Sequence, residues 1–175
     1  MIIFDNYKIE KIKENDASDI HHLMVSNAKR FQRFFPKTLE ANLTLVSANV
    51  FARQKVKQFD NSEEFLFTIK KDEDVVGLVY IKELDWKKKQ GEFAYCLDKK
   101  CESNGVMTGA VKRLSVYAFD RLGLETLQII AHISNIGSIK VAKKCNFKWQ
   151  RTLLKEHIPP KEDPLDMELY ELTKS

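Results

Sequence analysis

Residues 101–111 read CESNGVMTGAV, a polar loop with Asn104 and Gly105 that runs straight into an apolar stretch of helical spacing. Where a loop meets a helix N-terminus, the first backbone N–H groups lack intrahelical acceptors, and the helix dipole adds partial positive charge. Such a place can hold an anion, and phosphate is the usual occupant. An Asn-Gly pair is also a common turn, so the same letters equally describe an ordinary turn and cap. Two nucleotide-binding patterns do not fit. A Walker loop needs Gly-Lys-Ser or Gly-Lys-Thr, and a dinucleotide fingerprint needs three spaced glycines where this loop has only Gly105 and Gly109.

Other reactive side chains form no constellation. Cys96, Cys101 and Cys145 are odd in number and lack metal-ligand spacing, and His21, His22, His132 and His157 are scattered. A disulfide scaffold or a structural zinc site is therefore not expected. Cys96 and Cys145 sit in apolar surroundings and read as core residues, whereas Cys101 reads as more exposed. The formal net charge of +4 comes largely from dispersed lysines, with the tightest run at Trp86-Lys87-Lys88-Lys89. A solvated hairpin loop accounts for that run, with a contact to RNA or an acidic partner as the alternative; the charge does not by itself mark a nucleic-acid binder.

A chain of 175 residues, 43% apolar and 31% charged, is expected to form one soluble domain over 1–175. It has no run of 18 apolar residues, and its start, MIIFDNYKIEK, lacks the basic region and apolar core of a signal peptide, so the cytoplasm is the expected location. Alternation over 7–13 predicts an opening strand with Tyr7 and Ile9 on one face. Asp16 and Asp19 predict a helix cap, followed by a stripe of Ala17, Ile20, Leu23 and Met24. The aromatic segment 31–36 ends at Pro36, and 38–59 reads as one longer helix with Leu45, Ala52, Val56 and Phe59 on its buried side. Strands over 64–70, 75–81 and 91–97, joined by turns at 72–74 and 86–90, predict an antiparallel meander. A helix over 108–122 ends at Gly123, a strand covers 124–133, and a short helix over 138–145 ends at Asn146. Strands over 147–154 and 166–172 flank a loop kept irregular by Pro159, Pro160 and Pro164. The fold class is mixed α/β, a sheet with about four helices.

Two segments, GEFAYCLDKKCESNGVMTGAVKRLSVYAFDRLGL at 91–124 and HISNIGSIKVAKKCNF at 132–147, resemble the GNAT superfamily of acyl-CoA-dependent N-acetyltransferases. The nearest likeness is to the branch containing bacterial ribosomal-protein alanine and serine N-acetyltransferases, and it covers nearly the whole chain. Lys144-Cys145-Asn146-Phe147 stands where the family usually has Lys-Leu-Gly-Phe. The resemblance implies an acyl-CoA N-acyltransferase-like fold, with a mostly antiparallel central sheet, and acetyl-CoA as the acyl donor. It implies a pyrophosphate loop at Asn104, Gly105, Val106, Met107 and Thr108, and a strand end at Cys96 and Leu97 that pairs with the pantetheine arm. It also implies Glu92 as the base, acting through water, and Ser138 as the thiolate proton donor, also in the cofactor site. Asn135 is left with two roles, binding the cofactor arm or capping the helix. His132 is expected to point into the sheet or packing layer rather than the reaction centre.

The implied reaction is transfer of acetyl to a primary amine by direct attack in a ternary complex. The implied acceptor is an amine-bearing small molecule or a protein N-terminus, ribosomal proteins among them. No membrane and no direct nucleic-acid requirement are implied, and the chain would work as a monomer or homodimer. The alternative is a catalytically weak or inactive acyl-CoA-binding sensor or interaction module. Phe31, Phe34 and Phe35 line the acceptor groove or pin helices to the core, the second role being favoured. Glu102 departs from the family pattern, which has Gln or Arg there. A carboxylate beside a pyrophosphate repels it, so Glu102 is expected to weaken cofactor binding unless it points away, with Lys99 and Lys100 to compensate.

Overall fold

The structure is a computed structural model that describes residues 1–174. Two compact units are present: Met1–Tyr80 with Tyr95–Val106, and Ile81–Ala94 with the described residues from Met107 onward.

In the first unit the chain opens with a hairpin that periodicity did not reveal, β1 (Ile2–Phe4) and β2 (Tyr7–Lys11). Three residues are too few to display alternation. Asp5, at φ 48, makes the turn, and Phe4 stacks on Tyr7 with ring centroids 5.8 Å apart. Next, α1 (Ala17–Ser26) buries Ala17, Ile20, Leu23 and Met24, the expected stripe. Asp16 occupies the cap position of α1, but its carboxylate makes no cap hydrogen bond; it is drawn instead to Lys13 N–H and Lys70. Two single-turn helices follow, α2 (Ala28–Phe31) and α3 (Pro36–Glu40), the latter opening on Pro36, where a missing N–H costs nothing.

The helix expected over 38–59 is therefore divided. Thr44 starts a new one, α4 (Leu45–Asp60), by a capping box in which Ser47 N–H donates to Thr44 Oγ1 at 3.1 Å and Thr44 N–H donates to Ser47 Oγ at 3.2 Å. Leu45 is correspondingly 49% exposed, and Ala48, Phe51 and Ala52 form the buried face. After α4, β3 (Phe65–Lys71) runs antiparallel to β2, with Ile9 opposite Ile69. Asp72 and Glu73, at φ 49 and 71, turn the chain into β4 (Asp74–Asp85), as the paired left-handed residues of a tight hairpin should. β5 (Gln90–Leu97) follows after the Trp86–Lys89 turn. In this unit the strand order is β1-β2-β3-β4-β5. Gly77 on β4 is required by a close approach: a Cβ there would lie 2.9 Å from Leu97 Cδ1 and 3.0 Å from the carbonyl oxygen of Cys96.

The second unit begins with the later part of β4 and the earlier part of β5, and continues with most of α5 (Val106–Asp120). Leu124 N–H donates to Ala118 O at 3.1 Å around Gly123, whose φ of 72 closes the helix end as expected. β6 (Thr126–Ala131) buries Leu127, Ile129 and Ala131 in strict alternation. It pairs in parallel with β5, from Gln90↔Thr126 to Phe93↔Ile129. α6 (Ile136–Lys144) ends at Asn146, φ 64, where Phe147 N–H donates to Ala142 O at 3.0 Å. The final hairpin, β7 (Lys148–His157) and β8 (Leu165–Thr173), is antiparallel, and β8 pairs antiparallel with β6, so the order here is β4-β5-β6-β8-β7. Phe93 meets Phe147 edge-on at 6.3 Å and joins β5 to the chain that follows α6. The fold is mixed α/β with a mostly antiparallel sheet and flanking helices. Among the described residues no helix is long and apolar enough to cross a membrane.

Candidate active site

The loop before α5 is built by short-range chemistry. Asp98 caps a 3-10 turn at Lys99–Cys101, its Oδ1 accepting from Lys100 N–H at 2.8 Å. Ser103, at φ 65, and Gly105, at φ 73, flank Asn104 in left-handed conformations. Left-handed residues mixed with right-handed ones turn successive N–H groups to one side, and here they lead straight into a 15-residue helix. A Cβ at Gly105 would meet nothing within 4 Å, so its conformation, rather than crowding by the protein, requires glycine. Val106 and Met107 are buried by their side chains and offer only main chain to a ligand. Asn104 is exposed, and Thr108 is half-buried with its carbonyl accepting from Cys145 Sγ–H at 3.5 Å. Closely spaced donors without bulk suit a pyrophosphate.

Cys101, expected to be exposed, is 7% exposed. The 3-10 turn folds it inward, with its N–H on Asp98 O at 2.9 Å. Cys96 and Cys145 are buried as expected. Burial pushes the Cys96 thiol up to about 12, so Cys96 can serve a ligand by its backbone rather than as a nucleophile. The carbonyl of Leu97 accepts from Arg30 Nη1 at 3.3 Å. Glu102 is ion-paired with Arg30 on α2, a partner 72 residues away that no local signal in the sequence indicates.

Glu92 lies on β5 opposite Gln128 of β6, one pair before the parallel register ends. Its side chain is 15% exposed and sits 2.9 Å from Lys82 Nζ. Burial pushes its carboxyl above the usual range; Lys82 works against that, and Glu83 and Glu156 add to it. The neighbouring amides are fixed in a chain: Gln90 Nε2 donates to Gln128 Oε1 at 3.1 Å, and Gln128 Nε2 donates to Glu171 Oε1 at 2.7 Å. Lys82, the ion-pair partner of Glu92, belongs to none of the motifs above. It and Glu92 each stand five positions from Lys87 in the intervening turn, so counting outward from that turn was the available signal.

Asn135 and Ser138 are brought together at the start of α6. Asn135 is the cap, its Oδ1 accepting from Ser138 N–H at 3.2 Å. Ser138 is half-buried in the first turn. His132 does not enter the packing layer as expected. It is half-buried, with Ser134 N–H donating to its Nδ1 at 3.2 Å and Ser134 Oγ 2.7 Å from the same atom. Two small polar groups of Ser134 hold the ring there. Phe31 is buried in the core, and the half-buried Phe35 packs against it and Tyr80, with ring centroids at 6.4 and 5.8 Å.

A family model described as an acetyltransferase (GNAT) domain matches residues 7–148. The chain is similar to the spermidine N(1)-acetyltransferase of Escherichia coli (strain K12), 24% identical over 149 residues that make up 85% of this chain and 76% of that one. It is also similar to the solved ribosomal-protein-S5-alanine acetyltransferase of Vibrio fischeri, with a TM-score of 0.91, 20% identity, and coverage of 98% and 95% of the two chains. A microcin C7 self-immunity acetyltransferase, solved with acetyl-CoA and AMP, gives a TM-score of 0.88 at 19% identity, covering 98% of this chain and 94% of that one. At these identities the structural likenesses carry the fold.

Proposed function

The chain belongs to the GNAT acetyltransferase family, and from that premise we propose that it transfers acetyl from acetyl-CoA to a primary amine by direct attack in a ternary complex, with a protein N-terminus as the acceptor. The observation that carries this reading is Glu92, a largely buried carboxylate held by Lys82 at 2.9 Å where the β5–β6 register ends. Burial that raises a carboxyl's pKa, beside a specific charge partner, is the environment in which proton-accepting residues are found.

Acetyl-CoA supplies an acetyl thioester when bound. In this proposal the main chain of 104–108 binds its pyrophosphate, and the backbone at Cys96 and Leu97 aligns the arm. Glu92 takes the proton that the amine must lose, through a water, and Lys82 partly offsets the cost of burying the carboxylate. Ser138, its N–H already used by the Asn135 cap, has a hydroxyl suited to protonate the departing sulfur. An α-amine, with a pKa near 7.7–8, needs only modest help from such a base, whereas a lysine amine, near 10.4, needs more. That demand favours a peptide N-terminus, and the Vibrio fischeri relative is named for an alanine of a ribosomal protein.

The test is thiol release and mass spectrometry with acetyl-CoA and a panel: peptides with free Ala or Ser N-termini, the same peptides N-acetylated, and spermidine. Acetylation of the free α-amines alone is expected. Preference for spermidine would replace the acceptor. Acetyl-CoA binding without turnover on any amine would favour a sensor or interaction module.

A further inference from the structure

We infer that Arg30, braced by Asn27, is a positioning residue that clamps the pyrophosphate loop from the α1–α2 junction and neutralises Glu102; this rests on the cofactor reading above. The guanidinium of Arg30 reaches three acceptors. Nη1 donates to Asn27 Oδ1 at 2.8 Å and to Leu97 O at 3.3 Å, and Nη2 is ion-paired with Glu102. Asn27 is 5% exposed and fully engaged. Its Nδ2 donates to Leu23 O at 3.0 Å and to Asp98 Oδ2 at 3.2 Å, and its Oδ1 also accepts from Lys99 N–H at 3.2 Å.

The segment from Leu97 to Glu102 is thereby tied at both ends to one place. Its start is held through Leu97 O, Asp98 and Lys99 N–H, and its end through Glu102. Only Ser103, Asn104 and Gly105 then separate the clamped segment from the first turn of α5. Where the loop's donors sit is therefore set by a side chain some 70 residues earlier. The same contact answers the problem of a carboxylate beside a pyrophosphate. Glu102 faces a guanidinium, so its charge is compensated and its direction fixed. A lysine would not substitute, because a single ammonium lacks the planar fork needed to reach a side-chain amide, a carbonyl and a carboxylate together.

The experiment uses the full chain and two readouts, hydrogen exchange of amides 98–106 without ligand and calorimetric titration with coenzyme A. Arg30→Met is expected to raise exchange in that segment and to weaken coenzyme A binding about tenfold. Arg30→Lys should recover little of either, and adding Glu102→Gln to Arg30→Met should restore part of the affinity by removing the stranded charge. Affinity within twofold of wild type in Arg30→Met overturns the inference, even if exchange rises. Should Arg30→Met fail to fold, Glu102→Gln alone decides. It keeps an acceptor for Arg30, so affinity near wild type or weaker is expected, and clearly tighter binding overturns the clamp. A wild type that binds no coenzyme A overturns the cofactor reading itself, while unchanged exchange in Arg30→Met overturns the clamp independently.

Discussion

At Glu92 two effects oppose each other: burial disfavours the carboxylate, and Lys82 at 2.9 Å favours it. Burial wins, since the pKa is raised above its ordinary value of 4.5. A carboxyl whose folded pKa exceeds its unfolded one contributes stability at low pH and loses it as pH rises through the folded value. Ionised Glu92 is therefore a net cost to folding at neutral pH. Glu92→Gln should lower kcat tenfold to a hundredfold at pH 7, as expected for loss of a general base, while the melting temperature holds or rises. A pH–rate profile should show a limb in the wild type that falls toward acid from above the usual carboxylate range and is missing in the variant. Superimposable profiles would remove Glu92 as the base. At Gly105 the constraint is conformational, φ 73 with open space around it. Gly105→Val should weaken coenzyme A binding more than tenfold, about 1.4 kcal/mol, because a β-branched residue resists that φ. Gly105→Asn, which tolerates it, should stay near wild type by calorimetry.

Between elements, a buried polar link in the first unit joins β3 to the chain before α1. Lys70 Nζ lies 2.6 Å from Asp16 Oδ1 and 3.4 Å from Glu10 Oε2, and the Lys70 and Asp16 side chains are 7% and 3% exposed. Burial works to lower the Lys70 pKa, but Asp16 and Glu10 outweigh it and leave it raised. Its stabilisation is thus present below the unfolded value near 10.5 and is lost as pH climbs through the higher folded value. Glu10 is shifted the other way, chiefly by its hydrogen bond from Lys13, so its share is lost as pH falls below about the ordinary value of 4.5. The corner is at full strength between those limits. Lys70→Met should cost about 3 kcal/mol at pH 7, since it strands a buried Asp16, and adding Asp16→Asn should recover much of that. Urea unfolding of the two variants measures both; a single variant as stable as wild type would mean that Asp16 finds other donors.

For the whole molecule, the cofactor reading has a thermal consequence. A ligand at a hundred times its dissociation constant stabilises the native state by about 2.7 kcal/mol. For a chain of 175 residues, about 2–4 °C per kcal/mol gives a rise in melting temperature of roughly 5–10 °C. Acetyl-CoA and coenzyme A should both produce it, and pantetheine, which lacks the pyrophosphate, should produce little at the same concentration. Equal shifts with pantetheine would place the binding energy on the arm rather than on the loop at 104–108.

What the sequence determined by itself was whatever acts over a few residues. The stripe of α1, the alternation of β6, the Asn-Gly loop entering α5, and the left-handed endings at Gly123 and Asn146 all follow from periodicity and turn chemistry within one or two turns. Where two local signals competed, the stronger capture decided. The Thr44–Ser47 box divided a helix that apolar spacing alone would have continued, and Ser134 held His132 out of the core. The tertiary structure alone decided which distant charges meet. Arg30 finds Glu102 across 72 positions and Lys70 finds Asp16 across 54, because the neighbours of a side chain are set by which elements pack together. A charge's sign is written in its residue type, but its pKa, its direction and its use depend on the partner and on the water excluded around it, and both exist only once the chain has folded.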